Sequence, residues 1–108
     1  MELIDEIEEL IMMHQEGPYW DFKREWYDDS KDGDLLIDII CMANNLVDRD
    51  AYIIIGVNEE CDYAIQDVSQ DANRRNTQML TDFIRGKKFA GDFRPVVTVE
   101  QVHLDGGL

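Results

Sequence analysis

The sequence predicts a mixed α/β domain in which a small central β-sheet carries a βαβ unit and helices pack on it. Three observations lead there. Tyr19 to Arg24 alternates, with Trp20 and Phe22 on one side and Tyr19, Asp21 and Lys23 on the other, which is the period of a strand. Leu35, Leu36, Ile39, Ile40 and Ala43 form a strongly apolar helical pattern. Ala51 to Val57 is a short, β-branched, uninterrupted apolar run, as in a central strand buried on both faces. Strand, helix, buried strand is the order of a crossover unit, which is almost always right-handed. The chain of 108 residues is long enough for one domain, 1–108, and not for two, and its 44% hydrophobic content supports a packed core.

The remaining elements follow in chain order. Leu3, Ile7, Leu10 and Ile11 share one helical face while Asp5, Glu6, Glu8 and Glu9 lie elsewhere, which predicts an amphipathic helix of about three turns. Gly17-Pro18 stops it and turns the chain. After the strand at 19–24, Asp28 to Gly33 is rich in turn residues, and Asp34 is the expected N-cap of the second helix, which runs to about Asn45. Asn58 to Asp62 turns, and Tyr63 to Val68 is a weaker strand. Ala72 to Arg85 is a helix with Leu80, Phe83 and Ile84 inward and Gly86 at its end. Val96, Val97, Val99, Val102 and Leu104 make a final strand after Pro95. Asp105-Gly106-Gly107 is a hairpin signal with only Leu108 behind it. A hairpin needs a second strand, so an N-terminal fragment of a longer chain is expected.

Charge divides the chain. The net charge is −14, yet Met1 to Asp34 holds 12 acids against 3 bases, and Asn73 to Arg94 holds 6 bases against 2 acids. A uniform negative surface would repel phosphate backbones. A polarised one leaves a basic surface, Arg74, Arg75, Lys87 and Lys88, for nucleic acid. At helical rise these residues would span roughly 18–20 Å. Cys41 and Cys61 are twenty apart with no CxxC, so neither a disulfide framework nor a zinc site is expected, and Cys41 reads as a buried free thiol. The acidic N-terminus is no signal peptide, and no apolar run approaches a membrane span. A cytoplasmic location and no membrane partner follow.

The chemistry concentrates at Glu16-Gly17-Pro18-Tyr19-Trp20-Asp21-Phe22-Lys23. Two carboxylates five positions apart would face opposite ways on a straight strand. The Gly-Pro turn removes that constraint and lets Glu16 fold back toward Asp21, and Lys23 shares the face of Asp21. Two carboxylates and a lysine suit a phosphodiesterase that uses Mg²⁺ or Mn²⁺, with the ammonium steadying a phosphate. His14, His103, Ser30 and Ser69 have no ligand or base at useful spacing. Trp20 and Phe22 read as core. Trp26 and Tyr27 either stack on a base or cover a sheet edge.

Glu, four residues, an acid, Phe and Lys resembles the signature that opens Schlafen AlbA-type domains, whose usual form ends in Glu-Phe-Lys where this chain has Asp21. Met42-Ala43-Asn44, then Tyr52-Ile53-Ile54-Ile55-Gly56-Val57, then Asn58-Glu59-Glu60 resembles the family's second signature. The resemblance spans about Leu10 to Leu104. It points to the bacterial branch, whose members look like DNA-binding or regulatory domains, some labelled as divergent ATP-binding proteins. It implies a three-carboxylate nuclease site at Glu16, Asp21 and Glu59, with Lys23 on the phosphate and Mg²⁺ or Mn²⁺ as cofactor. Like charges meeting there without metal should raise at least one carboxyl pKa. The loop Asn45 to Asp50 lacks the Gly-Gly common in the family, which makes a close phosphate approach harder. No GxxxxGK[ST] is present, so nucleotide binding is not expected. Two rival readings stand beside the nuclease. One is a non-catalytic DNA-binding or transcription-regulatory domain using the same basic residues. The other is a protein-interaction module using the acidic first helix. DNA against RNA, and monomer against homo-oligomer, stay open.

Overall fold

The computed structural model describes residues 2–44, 49–87 and 95–104. Its elements are α1 (Leu3–Met12), β1 (Trp20–Lys23), α2 (Asp32–Ala43), β2 (Tyr52–Ile55), β3 (Val57–Asn58), β4 (Ala64–Ile65) and α3 (Thr77–Arg85), with short 3₁₀ turns at Asp29–Lys31 and Glu59–Cys61. The expected mixed α/β class holds. Strands β1 and β2 pair in parallel, Trp20 with Tyr52 through Lys23 with Ile55, and α2 lies between them in the chain, as a crossover unit requires. Strands β3 and β4 form a second, antiparallel pair.

Register explains the layering, because paired residues share a face. Trp20 and Phe22, with Tyr52 and Ile54, meet Ile7, Leu10 and Ile11 of α1 and Val57 in one core. Ile53, on the opposite face, packs with Tyr27, with Leu35 and Ile39 of α2, and with Leu80 and Ile84 of α3. The sheet thus sits between α1 and the pair α2, α3. Glu6 docks α1 further: it accepts the Tyr52 hydroxyl at 3.1 Å and pairs with Arg49, whose guanidinium stands 4.1 Å over the Tyr19 ring. Among the described residues, no helix is long and apolar enough to cross a membrane.

Several sequence expectations are corrected. The run 51–57 is two strands, because Gly56 has φ +108° and breaks it. Gly56 donates its N–H to the Lys23 carbonyl at 2.7 Å and accepts from the Gln66 N–H at 2.7 Å, so it passes the chain from one sheet to the other. A Cβ there would lie 2.8 Å from the Gln66 carbonyl oxygen. β2 is half-buried, not buried on both faces. Helix α2 starts at Asp32, continuing from the 3₁₀ turn, so Asp34 lies inside it and caps nothing. Helix α3 starts at Thr77, not Ala72, because the Asn76 side chain accepts the Met79 N–H at 2.8 Å and sets the N-terminus there. Arg74 and Arg75 therefore precede the helix.

Residues 95–104 keep the alternating burial of a strand but form no ladder. The Thr77 hydroxyl takes both backbone groups of Val99, accepting its N–H at 2.9 Å and donating to its carbonyl at 3.5 Å, in place of a neighbouring strand. Cys41 is exposed, since α2 buries only Leu35 and Ile39 and turns position 41 outward. The hairpin signal at 105–107, residues 45–48 with the expected end of the second helix, and Lys88 lie outside the described residues.

Candidate metal centre

The turn that carries Glu16 is built on an indole. Gly17 sits against Trp20 so closely that a Cβ would fall 2.1 Å from the ring. The Gly17 N–H donates to the Trp20 carbonyl at 3.2 Å, and the indole N–H donates to the Gln15 carbonyl at 2.9 Å. The chain from Gln15 to Tyr19 wraps around this buried side chain, so Glu16 returns to the start of β1 beside Asp21. Only glycine permits that contact at position 17.

The second turn carries Glu59. Past Gly56, β3 runs to Asn58, whose buried side chain accepts the Glu60 N–H at 3.0 Å and opens the 3₁₀ turn Glu59–Cys61. Asp62 and Tyr63 then adopt positive φ (55° and 59°), as does His14 (51°) two residues before Glu16. Such backbone is costly for residues with a Cβ and persists where the surroundings hold it. Here the two turns hold each other: the His14 and Tyr63 rings stack at 4.7 Å, and His14 Nδ1 lies 3.6 Å from Asp62.

The result is convergence. One carboxylate oxygen from each of Glu16, Asp21 and Glu59 lies within 4.8 Å of the others. The structure thus brings together the three acids singled out in the sequence. Asp21 corrects one expectation, since it is 7% exposed although it sits on the strand's polar side. That side faces α2. Among the described residues, no N–H or hydroxyl donates to its buried Oδ1, while its Oδ2 lies 3.4 Å from Lys23 Nζ.

Crowding raises the Glu16 carboxyl to about 8, first through a hydrogen bond with Asp21, then through burial, then through a hydrogen bond with Glu59 and both like charges. Carboxylates this close need either a shared proton or a cation. The donor set is three hard oxygens, and with all three acids ionised the buried Asp21 Oδ1 is an acceptor that no N–H or hydroxyl fills. Both suit Mg²⁺ or Mn²⁺ and neither suits a soft-ligand metal.

Lys23 lies where the sequence places it, with a second partner that the sequence did not suggest. Its Nζ is 3.5 Å from Oδ2 of Asp38 on α2, and that same oxygen accepts the Tyr27 hydroxyl at 2.5 Å. Burial opposes the Lys23 charge, but Asp21 and Asp38 outweigh it and its pKa is raised. Burial, then the bond to Asp38, lifts the Tyr27 hydroxyl far above the ordinary tyrosine range. A cleft of about 430 Å³ opens alongside, with Lys23, Trp26, Tyr27, Asp38 and Glu59 in its wall. Trp26 and Tyr27 are buried, and Tyr27 packs in the core with Leu35 and Ile39 of α2. The signal for Asp38 was available in outline: it is an acid beside Ile39 and three residues after Leu35, the buried stripe of α2.

The basic residues do not act alike. Arg75 has a side chain only 11% exposed and pairs with Asp32 at 2.5 Å and Asp29 at 3.9 Å, tying the chain before α3 to the start of α2. Arg74 is exposed and donates to the Ser69 carbonyl at 2.7 Å. Lys87 Nζ and the Arg75 guanidinium stand 4.8 and 5.3 Å from the Phe83 ring centre. These two cations therefore lean toward one ring between them, where helical rise alone would separate them by a helix length.

A family model described as Schlafen, AlbA_2 matches residues 16–107, from the first carboxylate of the cluster through the rest of the domain. No curated protein and no solved structure matches the chain.

Proposed function

The chain belongs to the Schlafen, AlbA_2 family, and from that premise we propose that it is a nucleic-acid-binding domain with a metal-dependent phosphodiesterase site at Glu16, Asp21 and Glu59. The family supports a role connected with nucleic acid. The observation that carries the finer reading is the buried Asp21 Oδ1, filled by no N–H or hydroxyl among the described residues, inside a cluster of three carboxylates. Three acids from a loop, a strand and a 3₁₀ turn meet only because two strained turns and a glycine contact bring them together. A cluster that destabilises itself in this way, with a raised carboxyl pKa, is typical of a site kept for a ligand.

Glu16, Asp21 and Glu59 would hold Mg²⁺ or Mn²⁺. When bound, such an ion supplies charge neutralisation at a phosphodiester and a more acidic water. Lys23, at the mouth of the cleft, contacts a non-bridging phosphate oxygen. The cleft admits the nucleotide on one side of that phosphate. Glu16, the acid that keeps a proton near neutrality while the site is empty, would give that proton up as the ion binds. Arg74 and Lys87 contact the backbone further along, and Arg75 serves the fold.

The test is cleavage of labelled single- and double-stranded RNA and DNA with Mn²⁺ or with chelator. D21N should lower the metal-dependent rate at least about 100-fold while the protein stays folded. Cleavage unaffected by D21N, or by chelation, would end the reading.

A further inference from the structure

We propose that Asp38, on α2 and outside the three-carboxylate set, is a positioning residue that holds the Lys23 ammonium between the carboxylates and the cleft. The inference rests on the metal-site reading above and adds to it a residue from a different element.

Lys23 follows Asp21 by two positions on β1, so both side chains leave the strand on the face toward α2. With Asp21 alone as partner, the ammonium would be drawn into a cluster of three acids. There it would compete with a cation for Asp21, since one oxygen of that residue is already 3.4 Å from Nζ. Asp38 supplies an opposing anchor at 3.5 Å. The two carboxylates, from different elements, lie at nearly equal distances from Nζ and share it, so neither captures it.

The opposing anchor is itself fixed. Tyr27 is buried in the α2 and α3 core, and its hydroxyl donates to the same Asp38 oxygen at 2.5 Å. The Tyr27 ring also lies 5.9 Å beneath Lys23 Nζ. A packed aromatic thus sets the Asp38 rotamer, and Asp38 sets the ammonium. Lys23, Tyr27 and Asp38 all line the cleft, so the charge is held at its wall, where a phosphate would enter. Groups that orient a metal site from behind its ligands commonly change affinity about 10- to 100-fold when altered.

Calorimetric Mn²⁺ affinity on the wild-type chain, D38N, K23M and D38N/K23M tests the proposal. Asn keeps an oxygen for the Tyr27 hydroxyl, and an unchanged melting curve checks that the fold persists. D38N should weaken Mn²⁺ roughly tenfold when Lys23 is present. With Lys23 removed, only the longer-range charge is lost, and the effect should shrink to about twofold or less. An equal loss in both backgrounds makes Asp38 a simple contributor to the local field and overturns the proposal, as does no loss in either. If D38N fails to fold, Y27F replaces it, because it keeps the Asp38 charge but frees its rotation. It too should weaken Mn²⁺ only when Lys23 is present, and no loss overturns the proposal. A wild-type chain that binds no Mn²⁺ sinks the metal-site reading itself, a result distinct from wild-type binding that D38N leaves untouched.

Discussion

Metal loading of the carboxylate cluster should release a proton near neutral pH. Glu16 is raised from its ordinary value of 4.5 to about 8 by Asp21, burial and Glu59, and a divalent cation needs its ionised form. At pH 7 the group is one unit below that pKa, so binding should release about 0.9 proton per ion, falling to about half at pH 8. Removing the proton costs about 1.4 kcal/mol at pH 7, so apparent affinity should rise roughly tenfold between pH 7 and 9. Calorimetry in two buffers of different ionisation heat measures the release directly. E16Q, which has no proton to lose, should release almost none. The same group predicts the metal-free pH dependence. Its folded pKa lies above its unfolded value, so the folded state binds more protons between pH 4.5 and 8 and stability falls as pH rises through that window. Glu16 is exposed, so solvent screening cuts the effect to about 1 kcal/mol, or about 4–8 °C in Tm. The loss should be absent in E16Q. Wild-type binding at pH 7 with no proton release, or release equal to that of E16Q, would refute the reasoning.

Three further outcomes follow from the packing. G56A should lose more than about 1 kcal/mol in urea unfolding, because φ +108° and the Gln66 carbonyl both oppose a Cβ, and it should weaken Mn²⁺ binding as well, because Gly56 begins the segment that delivers Glu59. F22A should lose about 3–5 kcal/mol, since Phe22 is 2% exposed at the centre of the first core. Among the cations, R75A should destabilise by about 1–3 kcal/mol; K87A should leave stability within about 0.5 kcal/mol and reduce the salt slope of nucleic-acid binding by about one.

Local patterns reached far into this protein. The period of 19–24 and the apolar runs at 35–43 and 51–57 were enough for the parallel pair and the helix between them, because strand and helix periods are written in neighbouring residues. Element edges were less legible. The stretch 72–76 was read into the helix, but the Asn76 cap starts α3 later, and residues 96–99 have strand composition, but Val99 bonds to Thr77 instead.

The sequence by itself determined which residue types the site would use. Glu16, Asp21, Lys23 and Glu59 were identifiable from spacing and resemblance, and the Gly17-Pro18 turn explained how the first two acids could meet. Only the tertiary structure decided what surrounds them. Asp21 alternates onto a polar face in the sequence, yet α2 covers that face and leaves one oxygen that no N–H or hydroxyl among the described residues fills. Asp38 of α2 and Tyr27 of the preceding loop join Lys23, and Arg75 pairs with Asp32 with little of its side chain exposed. The reason is physical: propensity and periodicity are properties of short segments, whereas burial, pKa and ion pairing depend on which segment lands opposite, and that is settled only when the layers pack.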